Sequence, residues 1–218
     1  MSWDAVLFDC DGVLVDSEPI SNRILTGMLN DLGLPLSAED TMRHFVGRSM
    51  PMCMTIIEAK LGRPAPAAFT EQFHQRTVEA FERELELVPG IGAVLDWLPW
   101  PDCVASSGDH AKLRATLTKT GLYDRFHGRI FSAHDVSRGK PYPDLFLYTA
   151  ERMGAAPARC GVVEDSVLGV QAGLAAGMRV FGYTGTVGAG ALQEAGAHET
   201  FDEMSALPGL LQRHQPAP

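Results

Sequence analysis

Two aspartates separated by one residue, Asp9 and Asp11, stand directly after a short apolar run, Ala5-Val6-Leu7-Phe8, and just before Gly12. In an extended segment, side chains two apart point the same way. Both carboxylates can then face one pocket while Cys10 turns into packing. Two carboxylates held close do not both ionise cheaply, so one keeps a proton more readily. A nucleophile paired with a general acid needs that inequality. Gly12 lets the chain turn at once. The same four residues also fit a strand end closed by an Asx turn, so they do not fix a chemistry alone.

Three other places carry matching chemistry. Ser106-Ser107-Gly108-Asp109 follows the apolar run Cys103-Val104-Ala105 and precedes a helical pattern. Hydroxyls and free backbone N–H groups at a helix start make an anion cradle, and they equally make an N-cap. Gly139-Lys140-Pro141 lies in a loop before a helix, where a lysine can neutralise a phosphate or simply be solvated. Glu164-Asp165-Ser166 follows Gly161-Val162-Val163. Two carboxylates at a buried strand end are costly without a cation, and an oxygen-only ligand set suits magnesium.

The elements that hold these residues follow a rhythm. Ala5–Phe8, 103–105, 129–131, 161–163 and 179–182 read as buried strands, because short continuous apolar runs suit a sheet covered on both faces. Helical spacing recurs between them, at Lys112–Thr120, Leu145–Met153 and Ser166–Ala176. Alternating strands and helices predict parallel βαβ units, with the site at the carboxyl ends of the strands. One interval breaks the rhythm. Residues 17–87 show helix signals only: an expected N-cap at Ser17, an apolar stripe of Ile24, Leu25, Met28, Leu29 and Leu32, and an expected capping box at Ser37–Asp40. The chain is thus expected to form an α/β unit from residues 1–16 and 88–218, interrupted by a helical cap at 17–87.

Composition removes several function classes. The 218 residues carry a formal charge of −9, with no cluster of Lys and Arg, which counts against a nucleic-acid partner. An anionic substrate must therefore meet a local cation. No apolar run approaches a bilayer span, so no membrane partner is expected. Met1-Ser2-Trp3-Asp4 lacks the pattern of a signal peptide. Cys10, Cys53, Cys103 and Cys160 include no C-x-x-C pair, and reduced thiols in a cytoplasmic protein are expected. The composition fits a monomer.

Asp-x-Asp, Ser, Lys and Glu-Asp occur in that order, each near a predicted strand end. In this the sequence resembles the haloacid dehalogenase-like hydrolase superfamily. Asp9 to Glu18 is similar to its first motif, Ser106 to the second, Lys140 to the third and Glu164-Asp165 to the fourth. The resemblance spans the chain and is strongest to the branch of β-phosphoglucomutases and 6-phosphogluconate phosphatase-like proteins. It implies a Rossmann-like parallel sheet with helices on both faces plus an inserted all-α cap. It implies a Mg²⁺-dependent phosphatase of a small phosphorylated sugar or sugar acid. Asp9 would be the nucleophile and Asp11 the general acid. Ser106, Ser107, Gly108 and Lys140 would hold phosphate. Asp9, the Asp11 carbonyl and Asp165 would hold the metal, with Glu164 binding directly or from behind. Lys140-Pro141 would be a candidate cis bond. Arg48, between two cap helices, is expected at the substrate's second polar group. A β-phosphoglucomutase is the alternative, but the histidine of that branch falls at Ser21 here, and no histidine precedes His44. A non-enzymatic phosphoacceptor would leave Asp11, Lys140 and Asp165 without a purpose.

Overall fold

The computed structural model describes residues 2–46, 48 and 50–216. The chain divides into two compact units, Met1–Asp16 with Glu86–Pro218, and Ser17–Leu85.

The first unit is built on one six-stranded sheet, β1 (Ala5–Phe8), β2 (Asp102–Ser106), β3 (Ile130–Ser132), β4 (Cys160–Glu164), β5 (Arg179–Tyr183) and β6 (Glu199–Phe201). The order is β3-β2-β1-β4-β5-β6 and every pairing is parallel. β1 therefore lies in the middle. The chain runs outward from it to β2 and β3, then returns to place β4 on its other side. Such a reversal opens a crevice at the carboxyl ends of the strands. β1 is buried throughout because both faces are covered. Ala5 and Leu7 join Cys103, Ala105, Val162 and Val180 in one core.

The helices of this unit are α5 (Ile91–Trp97), α6 (His110–Lys119), α7 (Tyr123–Phe126), α8 (Asp144–Met153), α9 (Val167–Ala175), α10 (Ala189–Glu194) and α11 (Leu207–Arg213). α8, α9 and α10 contribute Leu145, Phe146, Val170, Ala172 and Leu192 to that core. Leu87 bridges antiparallel to Val15, and the Asp16 N–H donates to the Glu86 carbonyl at 2.9 Å. The return crossing at 86–87 thus pairs with the end of the first segment.

Among the described residues the second unit holds four helices, α1 (Glu18–Asp31), α2 (Ala38–Phe45), α3 (Met50–Leu61) and α4 (Phe69–Glu84). Leu25, Met28, Leu29, Phe45, Cys53, Ile57 and Phe69 form its core. Two expected caps differ. Ser17 has helical backbone angles and makes no capping bond, so Pro19 starts the helix by its fixed φ. Ser37 does cap α2, accepting from the Asp40 N–H at 3.0 Å, but its hydroxyl also donates to the Asp40 carboxylate. A short aspartate at that position turns to the hydroxyl, where a glutamate reaches back to the backbone.

Candidate active site

Asp9 follows β1, and its N–H donates to the Val163 carbonyl of β4 at 3.0 Å. The ladder thus continues one residue past the strand and sets Asp9 level with Glu164 and Asp165. The side chains of Asp9, Glu164 and Asp165 are buried, and one carboxylate oxygen from each lies within 4.8 Å of the others. This acidic cluster is able to hold a metal ion. Two glycines leave room for it. A Cβ on Gly12, at φ +75°, would overlap Asp165 Oδ2, and one on Gly169 would overlap the Glu164 carboxylate.

Lys140 enters from the loop after β3 and meets three adjacent strand ends. Its Nζ donates to Asp9 Oδ1 at 2.8 Å, to the Ala105 carbonyl at 3.1 Å and to Glu164 Oε1. The peptide bond that follows it, Lys140-Pro141, is cis. Burial opposes the charge on Lys140, yet Asp9 and Glu164 outweigh it and raise its pKa. Burial pushes the Asp9 carboxyl up to about 7, with Lys140 pulling it down and Glu164 and Asp11 pushing it further up. Cys10 turns away, within 3.9 Å of the Thr116 hydroxyl, and its thiol is pushed well up by burial.

Glu164 is already occupied by protein donors. Oε2 accepts from the N–H groups of Asp165 and Ser166, both at 3.2 Å, and from the Ser166 hydroxyl at 2.9 Å, while Oε1 accepts from Lys140. It sits in the cluster by distance, but its hydrogen bonds make it a support for Lys140 and for the start of α9.

Ser106 closes β2 and is buried; its hydroxyl accepts from the Gly108 N–H at 3.2 Å. Ser107 is exposed, and Ser132 of β3 donates to the Gly108 carbonyl at 2.7 Å. Residues 106–108 thus form a tied loop at the start of α6, whose N-cap is Asp109. A residue not anticipated joins this loop to Asp11. Lys112 Nζ donates to Asp11 Oδ2 at 2.6 Å. A lysine in the first turn of a helix opposes the helix dipole, and that local disagreement is the sequence signal for it.

Arg48 belongs to the helical unit, where it lines a cavity of about 190 Å³ with Glu18, Ser21, Asn22 and Phe73 among others. His74 is exposed, and His44 packs edge-on to Phe45. Neither belongs to the acidic cluster.

A model of the haloacid dehalogenase-like hydrolases matches residues 3–177. The chain belongs to that family, and the parallel sheet with its acidic strand ends is the family's hydrolase fold. It is 36% identical over 181 residues to the 6-phosphogluconate phosphatase of Escherichia coli (strain K12), covering 82% of this chain and 81% of that one. A haloacid dehalogenase-like protein of unknown function from Agrobacterium tumefaciens str. C58 has a crystal structure that matches with TM-score 0.92 at 35% identity. That match covers 97% of this chain and 99% of the other. A hydrolase of the family from Deinococcus radiodurans R1, solved with bound phosphate and sodium, matches with TM-score 0.82 at 32% identity over 99% of both chains.

Proposed function

We propose that the protein is a Mg²⁺-dependent phosphatase of small phosphorylated sugars or sugar acids, 6-phosphogluconate among them, acting through an aspartyl-phosphate. The observation that carries this reading is the buried Asp9 carboxylate, gripped by Lys140 and grouped with Asp165. Asp9, Asp165 and the Asp11 backbone carbonyl would hold the ion, with Glu164 behind them holding Lys140. When bound, the ion supplies positive charge that lets two anions, carboxylate and phosphate, approach.

The residues of the chain do the rest. An Asp9 carboxylate oxygen attacks phosphorus and the bond to the sugar oxygen breaks. Asp11 gives its proton to that leaving oxygen, then takes one from the water that cleaves the aspartyl-phosphate. Ser106, with backbone N–H groups of Ser107 and Gly108, orients the phosphate oxygens, and Lys140 offsets their charge. Phosphoryl transfer asks mainly for positioning and electrostatics. This also answers the overall charge of −9, since local cations outweigh a screened surface excess of acid. The helical unit is proposed as the cap, with Arg48 taking the second anionic or hydroxyl group of the substrate. Ser21 offers no imidazole for a mutase. Four free, buried thiols support a reducing compartment such as the cytoplasm.

The test is release of inorganic phosphate from 6-phosphogluconate, hexose phosphates and p-nitrophenyl phosphate. Release with Mg²⁺ should fall to background with a chelator, and Asp9→Asn should lose on the order of 10⁴-fold or more. Absence of release from every substrate, or an unimpaired Asp9→Asn variant, overturns the reading.

A further inference from the structure

We infer that Lys112 is the positioning residue of the general acid: it holds the Asp11 side chain by Oδ2, so that proton transfer falls to Oδ1. This rests on the phosphatase reading above and deepens it.

The two residues are 101 positions apart in sequence, yet Lys112 Nζ lies 2.6 Å from Asp11 Oδ2. The lysine is anchored at its other end. Its backbone N–H donates to the Asp109 carboxylate at 2.8 Å. Its stem runs beside Gly108, where a Cβ would stand 3.5 Å from Lys112 Cδ. The side chain thus spans from the phosphate-holding loop to the acid, half-buried along the way. Its ammonium sits in the first turn of α6, where the helix dipole disfavours a cation, so the ion pair must offset that placement. A charged donor on a carboxyl oxygen makes a strong, directional bond. With Oδ2 accepting from the ammonium, Oδ1 is the oxygen assigned to proton transfer.

The proton path is then defined. As the bond from the sugar oxygen to phosphorus breaks, that oxygen keeps the electron pair and takes the proton from Oδ1 of Asp11. In the second half-reaction water gives a proton back to Oδ1, its oxygen bonds to phosphorus, and Asp9 leaves with the electron pair of its own bond to phosphorus. Lys112 exchanges no proton in either half.

The test uses leaving groups. A sugar alkoxide needs a proton as it departs, whereas p-nitrophenolate departs without one. Lys112→Met keeps the stem and removes the ammonium. Relative to wild type, its kcat/KM for the best sugar phosphate should fall on the order of 10²-fold, and that for p-nitrophenyl phosphate less than about 5-fold. Lys112→Arg should recover part of the selective loss. The ratio of the two substrates does not depend on how much of the variant folds, so partial misfolding leaves the result readable. Equal losses on both substrates, or no loss, overturn the inference. Asp11→Asn separates the two claims. If it loses the sugar phosphate selectively while Lys112→Met does not, only the role of Lys112 fails. If wild type hydrolyses neither substrate, the phosphatase reading fails first.

Discussion

The two ends of the sheet use charge in opposite ways. At the carboxyl ends, four carboxylates, Asp9, Asp11, Glu164 and Asp165, meet two lysines, Lys140 and Lys112. At the amino ends the named groups are balanced and the cations are arginines. Asp102 at the start of β2 pairs with Arg125 at 2.7 Å and with Arg129, Asp96 lies 3.9 Å from Arg125, and Asp4 before β1 pairs with Arg159 at 2.8 Å. Arginine forks fix a geometry and cannot lose their proton, whereas a lysine ammonium is a compact charge that serves several acceptors at once. One end closes its charges upon themselves. The other keeps an acid surplus that is able to hold a metal ion.

Paired glycine substitutions should break the two ends apart most widely. Gly12→Ala puts a Cβ into Asp165 Oδ2 and within 2.6 Å of the Thr186 hydroxyl, at φ +75°. Displacing the Asp165 carboxylate, proposed above to hold the metal, by about an ångström should lower kcat/KM on the order of 10²-fold. Gly128→Ala, beside Arg129, is equally left-handed at φ +78° but meets nothing within 4 Å. It should cost only about 1 kcal/mol of stability and leave kcat/KM alone. Comparable kinetic losses in both variants would erase the distinction.

Asp102→Asn should give the reverse pattern. Asp102 is buried while its arginines are partly exposed and can hydrate. Denaturant titration should show a loss of about 2 kcal/mol, with turnover per folded molecule unchanged. A kinetic defect without a stability defect would move Asp102 into the chemistry.

The smallest effect is in pH. The imidazole of His198, before β6, accepts the Val180 N–H at 3.0 Å through Nδ1, and burial with nearby Arg179 lowers its pKa from 6.5. Below that value the unfolded chain binds the proton first, so the contribution to stability fades as pH falls. His198→Gln should flatten the stability profile below about pH 6.5 by less than about 1 kcal/mol. An unchanged slope assigns the acid sensitivity elsewhere.

How far the sequence carries follows from what each feature depends on. Asp9, Lys140 and Glu164-Asp165 are legible because each ends, or follows, a strand marked by a continuous apolar run. β6 lacks such a run. Glu199-Thr200-Phe201 is half polar, as a sheet edge allows, and its strand character comes from pairing with β5. Lys112 was hidden because its partner is remote in sequence, leaving only an unfavourable position in a helix turn. Glu164 reads as a metal ligand by residue type, but its role as a support depends on backbone donors that no spacing rule reveals. Ser17 shows the limit of local capping signals, since the adjacent proline starts the helix without its hydroxyl.

Lys140 is separated from Asp9 by 131 positions and touches groups of β2 and β4 as well. Its three acceptors exist together only once the last of those strands has docked in register. A nascent or half-assembled chain, with β4 still outside the sheet, carries Asp9 without Glu164 and Asp165 beside it. The acidic cluster of this hydrolase is therefore complete only when β4 has joined the sheet.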